Sequence, residues 1–447
     1  MIEALLKLLK DYLYDVDIVW KKSYEEIKKL QLKRLRRMIK YAYDVPLYHK
    51  KYREAGIKPD DIKSMEDIKK LPPITKGDIR RNFPHGIIPS NFTSKAIKLA
   101  TSGSTGKPVV IYSDYSTVMK NIIAYIRILK AYGAKWNKTR ITVIGDLAYG
   151  TAGYAAFASP LPSFIMKVLL LKNLQLISID EEVTEMAEKI AEFEPEFLNG
   201  YPGILHILAM LKVEKGIGKN ISPSYISSSG GVLDDATRRY IEDAFNARVF
   251  DVYEATESGS VAFECKEGGY HIHSDMVYVE VVDENMEDVA PGEIGRAIIT
   301  RLYGKGTPII RYTGMDDYIR ASERCLCGIN TDCIGRVEGR RAHAIVTPAG
   351  KIISPLSFTY IPSEVMQEEN FYGIKQFQIV QESVDKVVIY VVPKERNKKL
   401  DKIYEKIKKR YEERFEGIRI EIKETDKISS YGYLLPPVVI SKVIKSH

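Results

Sequence analysis

A glycine- and hydroxyl-rich loop in the first quarter of the chain has the composition of an anion-binding site. Residues 101–108 read Thr-Ser-Gly-Ser-Thr-Gly-Lys-Pro. Glycines let backbone N–H groups turn onto an anion, hydroxyls add hydrogen-bond donors, and a lysine adds positive charge. A Walker P-loop is excluded, because only two residues separate the glycines and proline follows the lysine. The alternative is a polar hairpin turn. The residues predicted to hold phosphate are Ser102, Gly103, Ser104, Thr105, Gly106 and Lys107.

Cysteine and histidine residues in the second half of the chain have the types and spacing of a metal site. Three thiolates and one imidazole satisfy tetrahedral zinc, and a Cys-x-Cys pair forms a tight knuckle. Clustered cysteines without a secretory signal favour a metal over disulfides, although buried cysteines without a metal are the alternative. The predicted ligands are Cys265, His271, Cys325 and Cys327, with Cys333 and His273 as spares. Such a closed site predicts a structural metal that stabilises the loops of residues 262–335.

The composition is that of an ordinary globular protein with two or more domains. The chain has 447 residues, of which 45% are hydrophobic and 28% are charged. Its net charge of +8 comes mostly from lysines scattered over predicted helices, which indicates solvated helix faces rather than a nucleic-acid groove. The N-terminus lacks the features of a signal peptide, and glycines and prolines interrupt the apolar stretch 148–171. We therefore expect a cytoplasmic protein without membrane insertion and without a nucleic-acid partner.

The pattern of apolar residues predicts an α/β protein with a small α+β unit at its C-terminal end. Residues 1–70 have helical spacing with a stop at Pro46, and residues 69–76 read as an extended crossing because of their prolines. Short strands then alternate with helices up to about residue 260, as in a largely parallel sheet. The predicted domains are a large N-terminal multi-sheet domain, residues 1–339, and a small lid, residues 340–447.

Ordered motifs along nearly the whole chain resemble those of the adenylate-forming superfamily. They begin with Tyr-Ala-x-x-Val-Pro-x-Tyr at 41–48 and Leu-Pro-x-x-Thr-Lys at 71–76, and the loop at 102–107 resembles the family's ATP loop. The other matching stretches are 199–202, 229–231, 253–257, 311–317 and 339–350. The series is similar to phenylacetate–CoA ligases and still more to their capsular-polysaccharide-type relatives. It also resembles the deazaflavin-coenzyme adenylylating synthetases. The resemblance implies a large AMP-binding domain and a small C-terminal lid.

The resemblance also implies catalytic roles. In the stretch Tyr-Glu-Ala-Thr-Glu at 253–257, the ring of Tyr253 would stack on adenine and the hydroxyl of Thr256 would reach the α-phosphate. Glu257 would help to bind Mg²⁺, for which a carboxylate is a suitable ligand. With Lys107 of the ATP loop, Thr256 and Glu257 are the implied catalytic residues.

The remaining nucleotide contacts are implied in the same way. Gly230 and Gly231 would form the small-residue turn that lies along the adenine. Asp316 would hold the ribose hydroxyls, with Asp317 as the neighbouring alternative, since one carboxylate can accept both hydrogen bonds. Arg340 would contact the nucleotide at the domain junction.

Three positions depart from the family pattern. Glu254 stands where a glycine is usual, beside the nucleotide. Tyr433 follows Gly432 where a lysine usually stabilises the negative charge of adenylate formation. The pair at 342–343, Ala-His, replaces the aspartate that commonly follows the junction. The lysines that could act in place of the missing one are Lys427 and Lys442.

The predicted function is that of an ATP-dependent, AMP-forming ligase that activates an aryl or other small carboxylate and passes it to CoA. One alternative is an adenylyltransferase that moves AMP to a coenzyme hydroxyl, and the other is a nucleotide-binding relative that has lost catalysis. The expected cofactors are ATP, Mg²⁺, structural Zn²⁺ and CoA, and a homodimer is expected because dimers are the commonest assemblies. The positions predicted for the acyl pocket are Tyr149, Gly150, Tyr201 and Ser228, beside Gly153 and Tyr154.

Overall fold

The computed structural model describes residues 14–101, 108–160, 163, 172–340, 344–350, 352–353, 355–369, 371, 373–396, 398–428 and 438–443. Within them the helices, numbered in chain order, are α1 (Ile18–Lys21), α2 (Tyr24–Tyr43), α3 (Pro46–Glu54), α4 (Lys76–Asn82), α5 (Tyr115–Ala131), α6 (Val183–Phe193), α7 (Pro202–Met210), α8 (Asp235–Phe245), α9 (Pro355–Glu368) and α10 (Lys398–Arg414). Short 3₁₀ turns occupy Pro59–Asp61, Glu66–Lys70 and His85–Ile87, and π-helical turns occupy Tyr154–Ala158 and Leu211–Lys215.

The strands are β1 (Ala96–Ala100), β2 (Val110–Asp114), β3 (Ile141–Gly145), β4 (Leu174–Ser178), β5 (Phe197–Gly200), β6 (Tyr225–Ser229), β7 (Val249–Ala255), β8 (Gly259–Glu264), β9 (Tyr270–Ile272), β10 (Val277–Val282), β11 (Ile294–Arg301), β12 (Asp317–Ala321), β13 (Cys333–Arg340), β14 (Ile345–Val346), β15 (Ile352–Ile353), β16 (Ile374–Ser383), β17 (Lys386–Pro393), β18 (Arg419–Glu424) and β19 (Val439–Ser441).

An eleven-stranded sheet forms the frame of the larger part of the molecule, in the order β10-β11-β12-β13-β9-β8-β7-β6-β5-β3-β4. In this order, the adjacent strands β7, β6, β5, β3 and β4 run parallel to one another. The adjacent strands on the other side of β7, from β8 to β10, run antiparallel. Alternate residues of β3 pack on opposite faces, because successive side chains of a strand point to opposite sides. Ile141 and Val143 join the apolar cluster that contains Ile128 of α5, whereas Ile144 joins the cluster of α6, α7 and α8.

The N-terminal helices are fixed by their caps and then lead into an extended crossing. The Ser23 side chain accepts from the Glu26 N–H while the Glu26 carboxylate accepts from the Ser23 N–H, a capping box that starts α2. Thr75 and Asp78 start α4 in the same way. Just before α4, Ile74 forms a parallel bridge with Tyr312. The chain from 71 to 75 is therefore attached to a segment that is far away in sequence.

The C-terminal part forms a separate small α+β unit. Its sheet has the order β18-β17-β16-β19, with an antiparallel hairpin at its centre and parallel outer strands. Helices α9 and α10 pack together over an apolar cluster of their own, in which Tyr411 donates a hydrogen bond to the Phe358 backbone oxygen at 2.5 Å. The predicted fold class, a large multi-strand α/β part with a small C-terminal sheet unit, is confirmed. The exact domain boundary at 339/340 remains a prediction.

The predicted stop at Pro46 was confirmed: helix α2 ends at Tyr43, and Pro46 is the first residue of α3, where its missing N–H costs nothing because the first turn has no partner for it. Another local prediction was wrong. Residues 58–70 were expected to be helical and instead contain two 3₁₀ turns. As for membrane association, none of the helices in the described ranges is long and apolar enough to cross a bilayer.

A buried ionic cluster joins the N-terminal helices to the sheet. Asp275 is fully buried and binds Arg127 through both carboxylate oxygens, at 2.8 and 3.2 Å, and Arg34 at 3.1 Å. Asp15 is the second carboxylate of this cluster and accepts from Arg34 at 2.7 Å. Burial alone would raise the pKa of Asp275, but the two guanidinium groups lower it below its ordinary value. The cluster is thus held in its charged form by its own arginines.

Replacing Asp275 by asparagine is expected to lower the free energy of unfolding at neutral pH by about 3 kcal/mol, because the buried Arg127 guanidinium loses its carboxylate partner and Arg34 keeps only Asp15. Asp60→Asn is the matched control, since Asp60 forms only a surface pair with Lys40 at 3.2 Å, worth less than about 1 kcal/mol. Urea unfolding measures both. A carboxyl group whose pKa is lower in the folded than in the unfolded state stabilises the fold at pH values above its unfolded-state pKa. This stabilisation is lost as the pH falls, so the difference in unfolding free energy between wild type and Asp275→Asn should shrink below about pH 4. Equal stabilities of the two variants at pH 7 would contradict the assignment.

Candidate active site and metal centre

Several predicted site residues lie where neighbouring parallel strands end. Strand β5 ends at Gly200, β6 ends at Ser229 and β7 ends at Ala255. These strands are adjacent in the sheet, with Gly200 paired to Ser228 and Ser229 paired to Val252. Ligands of open α/β sheets bind outside the carboxyl ends of the strands. The motifs at 199–202, 229–231 and 253–257 therefore meet at one edge of the sheet.

The hydroxyl of Tyr253 holds its ring in place. It donates to Asp317 Oδ2 at 2.9 Å, and the residue is only 6% exposed. Asp317 is paired in register with Arg340 across β12 and β13. Asp316 precedes it with a φ of 58°, a left-handed conformation that aspartate tolerates better than most residues. Tyr253, which is predicted to stack on adenine, thus lies beside Asp316 and Asp317, the two candidates for the ribose. The backbone of Arg340 is a neighbour of the same segment.

Glu257 lies in the turn between β7 and β8 and has a fixed orientation. It is 5% exposed, and its Oε1 accepts a hydrogen bond from Tyr312 Oη at 2.8 Å. Its backbone oxygen accepts from Nη1 of the buried Arg301 at 2.9 Å. Burial, and then the nearby Glu257 carboxylate, raises the pKa of Tyr312 well above its ordinary value, so that Tyr312 remains a donor. Half-buried Thr256 lies in the same turn.

The segment that carries Tyr312 and both aspartates is anchored by Arg311. Its guanidinium donates to both oxygens of Glu280, at 3.2 and 2.9 Å. It also donates to the backbone oxygens of Lys69, at 2.9 Å, and Leu71, at 2.8 Å. A fork of this kind gives geometric specificity as well as energy. Arg311 therefore ties the segment to β10 and to the extended crossing, although sequence analysis gave this residue no role.

A tight turn brings Tyr201 against the end of β6. Gly230 has a φ of 75°, and a Cβ atom there would lie 2.5 Å from Tyr201 Cε1. Gly231 has ordinary backbone, and a Cβ there would lie 3.3 Å from Pro202 Cδ and Cγ. Tyr201 is half-buried, and burial first and Glu254 second raise its pKa to about 12. The predicted small-residue turn at Gly230 and Gly231 and the predicted pocket residue Tyr201 thus pack against each other.

The other predicted pocket residues differ in their surroundings. Ser228 is fully buried at the end of β6, whereas Tyr149 is 79% exposed and stacks edge-on against Tyr154. The backbone oxygen of Gly150 accepts from the Ala100 N–H at 2.8 Å, so it lies at the end of β1. A Cβ at Gly153 would lie 2.3 Å from the Asp146 carbonyl oxygen, which explains why glycine directly precedes the π-helical turn. Their role as an acyl pocket stays a prediction.

The predicted phosphate loop, Ser102, Gly103, Ser104, Thr105, Gly106 and Lys107, lies outside the described residues, and so do Arg341, Ala342, His343, Gly432 and Tyr433. Its two flanks are described. Strands β1 and β2 are antiparallel, and Thr101 and Val109 close the hairpin with hydrogen bonds of 2.9 and 3.0 Å. The predicted strand–loop–strand context is therefore confirmed. Of the two candidate lysines, Lys442 forms a surface pair with Glu382 at 3.7 Å, and Lys427 is exposed.

The four predicted zinc ligands come together in space. The donor atoms of Cys265, His271, Cys325 and Cys327 all lie within 4.8 Å of one another. The sulfur atoms of Cys265 and Cys325 are 3.8 Å apart, and Cys327 Sγ lies 3.1 Å from His271 Nε2. Two thiolates on one tetrahedral zinc are about 3.8 Å apart for a Zn–S distance of about 2.3 Å. The donor set and its spacing thus fit this metal.

The two spare residues lie in different surroundings. Cys333 Sγ lies 3.5 Å from Nδ1 of His271, on the side of the ring opposite Nε2, and accepts a hydrogen bond from the Cys325 N–H. His271 Nδ1 also lies 3.2 Å from Thr331 Oγ1, a contact of the kind that fixes a ligand imidazole. His273 instead contacts Arg127 and Ser260 in the core. Neither spare belongs to the four-residue cluster, which is named the Cys/His cluster below.

Comparison with known proteins decides the family. The chain is 31% identical over 309 residues to the phenylacetate–coenzyme A ligase of Escherichia coli (strain K12), covering 66% of this chain and 67% of that protein. It belongs to the phenylacetate–coenzyme A ligase family of adenylate-forming enzymes. The family enzyme of Pseudomonas putida is 30% identical over 312 residues, which are 66% of either chain. Protein CapK of Staphylococcus aureus is 26% identical over 335 residues, 74% of this chain and 70% of that protein. No protein-family model matches the chain.

A solved structure of another adenylate-forming enzyme has the same fold as this family member. The 2-hydroxyisobutyryl-CoA ligase, in its postadenylation state with an acyl-AMP, superposes with a TM-score of 0.79 at 20% identity, over 95% of this chain and 92% of that chain. The same ligase in its thioesterification state superposes with a TM-score of 0.64 over 95% and 91%. The predicted membership of the adenylate-forming superfamily and the fold that goes with it are therefore confirmed.

Tyr312 and Arg311 are the residues that sequence analysis missed in this family member. Both lie in the quoted stretch 311–317, but their partners are distant in sequence, 55 residues away for Tyr312 and 31 for Arg311. The only sequence signal was the run itself, an arginine and an aromatic residue directly before the predicted ribose-binding segment. Local spacing cannot reveal such pairs.

Gly230→Ala is expected to lower the free energy of unfolding by at least about 1–2 kcal/mol, because alanine is strained at a positive φ and its methyl group meets the Tyr201 ring. Gly231→Ala is the matched control, and its cost should be about 1 kcal/mol or less, since that backbone suits any residue. Urea unfolding of both variants measures the difference. Equal losses would contradict the close packing of Tyr201 on this turn.

Proposed function

We propose that this protein is an ATP-dependent, AMP-forming ligase that activates a small carboxylic acid as an acyl-adenylate and then transfers the acyl group to CoA. The observation that carries the proposal is the meeting of Tyr253, Glu257 and the aspartates 316–317 at the carboxyl ends of the parallel strands. Relatives named phenylacetate–coenzyme A ligase support the reaction type. The protein would act in the cytoplasm on small molecules, and a dimer stays an expectation.

In the first half-reaction a carboxylate oxygen attacks the α-phosphorus of ATP, a new O–P bond forms, and the bond to the pyrophosphate oxygen breaks. The ring of Tyr253, fixed by Asp317, would hold the adenine, and Asp316 or Asp317 would hold the ribose. The phosphates would lie on Ser102–Lys107, with Thr256 at the α-phosphate. Glu257 would hold Mg²⁺, because Tyr312 occupies Oε1 and orients the carboxylate. The Lys107 charge would oppose the developing negative charge.

In the second half-reaction the thiol of CoA attacks the acyl carbon, loses its proton, and releases AMP. We propose that the C-terminal unit turns about residues 340–341 between the two steps, so that one site serves both reactions. Lys427 and Lys442 are the candidates for the role that a lysine after Gly432 fills in relatives. Tyr433 at that position favours, as a second candidate, a nucleotide-binding relative that has lost catalysis.

Glu257→Gln and Lys107→Ala are expected to lower the rate of carboxylate-dependent pyrophosphate release by about 100-fold or more, because each removes charge that acts in the transition state. The amide that Glu257→Gln introduces can still accept from Tyr312, so the fold should persist. Calorimetric titration with Mg·ATP should show weaker binding for Lys107→Ala.

Glu188→Gln, an exposed change on α6, is the control and should behave as wild type. A folded wild type that does not bind ATP would overturn the ligase proposal. Pyrophosphate release that needs a hydroxyl acceptor instead of a carboxylate would establish the adenylyltransferase alternative.

We also propose that the Cys/His cluster holds a structural Zn²⁺. Four protein donors close the coordination shell, which leaves no position for a substrate. Burial lowers the pKa of His271 to about 4, so its imidazole is neutral and able to ligate at neutral pH. The metal would tie β8 and β9 to the loop 325–327 and thereby stabilise the antiparallel half of the sheet.

Purified protein is expected to contain about one zinc per chain, and Cys327→Ser should lose most of it and unfold at a lower temperature, because metal binding contributes to folding. Cys333→Ser is the matched control: its sulfur faces the opposite ring nitrogen, so its zinc content should stay unchanged. Elemental mass spectrometry and thermal unfolding measure both properties. Loss of zinc in Cys333→Ser but not in Cys327→Ser would contradict the ligand set.

A further inference from the structure

Arg301, the last residue of β11, is buried without an acidic partner. Its exposed fraction is 1%. The buried Arg127 and Arg311 bind carboxylates at 2.8 and 2.9 Å, whereas Arg301 forms no ion pair with any residue in the described ranges of the chain. Because a buried charge is costly unless it is paired, a specific use of this guanidinium is expected.

The guanidinium of Arg301 joins two separate backbone segments. Nη1 donates to the backbone oxygen of Glu257 at 2.9 Å, and Nη2 donates to the backbone oxygen of Thr307 at 2.6 Å. The ring of Tyr303 lies 5.6 Å from the guanidinium carbon, a contact that offsets part of the cost of burying the charge. One planar group thus holds two carbonyl oxygens from different loops.

The Glu257 end of this connection belongs to the turn between β7 and β8. Arg301 holds the backbone of Glu257, and Tyr312 holds its carboxylate through Oε1 at 2.8 Å. Tyr303 Oη lies 3.3 Å from the backbone oxygen of the next residue, Ser258. The position of the Glu257 carboxylate therefore depends on Arg301 as well as on Tyr312.

The Thr307 end of the connection leads to β2, the strand that follows the predicted phosphate loop. The Thr307 N–H donates to the Tyr112 backbone oxygen at 2.8 Å, and the Tyr112 N–H donates to Thr307 Oγ1 at 3.0 Å. The two segments approach so closely that a Cβ at Gly306 would lie 1.9 Å from the Tyr112 backbone oxygen. A continuous series of hydrogen bonds therefore runs from β2 through Thr307 and Arg301 to Glu257.

We infer that Arg301 is a positioning residue, which sets the distance between the phosphate loop and the Mg²⁺-binding carboxylate of Glu257. The inference rests on the proposed ligase function and adds to it a residue on the backbone side of Glu257. Mg²⁺ requires nearly ideal octahedral geometry and binds between protein carboxylates and substrate phosphates, so its affinity depends on that distance. A lysine at position 301 would keep the charge but not the planar fork.

Arg301→Lys is expected to weaken the effect of Mg²⁺ on ATP binding. Calorimetric titration with ATP, in EDTA and at several Mg²⁺ concentrations, measures this effect without any carboxylic acid. The half-saturating Mg²⁺ concentration should rise by about 10-fold or more, because a displacement of about 1 Å at a positioned group can cost about 100-fold. The affinity for ATP in EDTA should stay close to that of wild type.

Arg127→Lys is the matched control, since it is the same change at an equally buried arginine that belongs to the ionic cluster at Asp275. It should lower the unfolding temperature and leave the half-saturating Mg²⁺ concentration unchanged. A second pair of variants serves if Arg301→Lys does not fold. Thr307→Val removes the acceptor for the Tyr112 N–H and should raise the Mg²⁺ requirement, whereas Thr307→Ser keeps the hydroxyl and should behave as wild type.

The same titrations separate the positioning role from the proposed function. If Glu257→Gln raises the Mg²⁺ requirement and the folded variants at positions 301 and 307 do not, the positioning role is overturned and the ligase proposal stands. An equal rise in Arg127→Lys would also overturn it, since lost stability alone would then explain the effect. If ATP binding by wild type does not depend on Mg²⁺, the magnesium assignment of Glu257 fails and the positioning role fails with it.

Discussion

The geometry of the candidate active site depends on the bidentate pair between Arg311 and Glu280. Both groups are buried, and Arg311 adopts a φ of 46°, which is uncommon for a residue with a side chain. Its guanidinium also donates to the backbone oxygens of Lys69 and of the buried Leu71. One side chain thus fixes where the N-terminal crossing, β10 and the segment 311–317 meet.

The site lies on the boundary between the two kinds of strand pairing. The parallel half of the sheet supplies the turns after β5 and β6, and the antiparallel half supplies Tyr312 and Asp317. Strand β7 belongs to both halves, its end carries Tyr253, and Glu257 lies in the turn that follows it. Hydrogen bonds from Tyr312 and to Asp317 hold this end in place from the antiparallel side.

Much of this arrangement could be predicted from the sequence, and the remainder has a common physical reason. The pattern of apolar residues predicted the alternation of short strands with helices up to about residue 260, because amphipathic elements carry a local signal. The Cys/His cluster was predictable because residue type alone restricts metal ligands. The partner of Tyr312 and the hydrogen bond from Tyr253 to Asp317 were not, since both join residues that are more than 50 positions apart in the sequence. The exposure of Tyr149 could not be predicted either, since an aromatic residue next to a glycine has the same sequence pattern at a surface and in a pocket.

The buried ionic cluster at Asp275 has a consequence for the order in which the chain can fold. Asp15 and Arg34 belong to the first described helices, but their partners Arg127 and Asp275 come roughly 100 and 240 residues later. Contacts of such long sequence separation are slow to form, and a chain emerging from the ribosome must leave these charges solvated until the sheet is nearly complete. The C-terminal unit, whose strands and helices pair locally, has no such delay. The beginning of the sequence is therefore among the last parts to become secured.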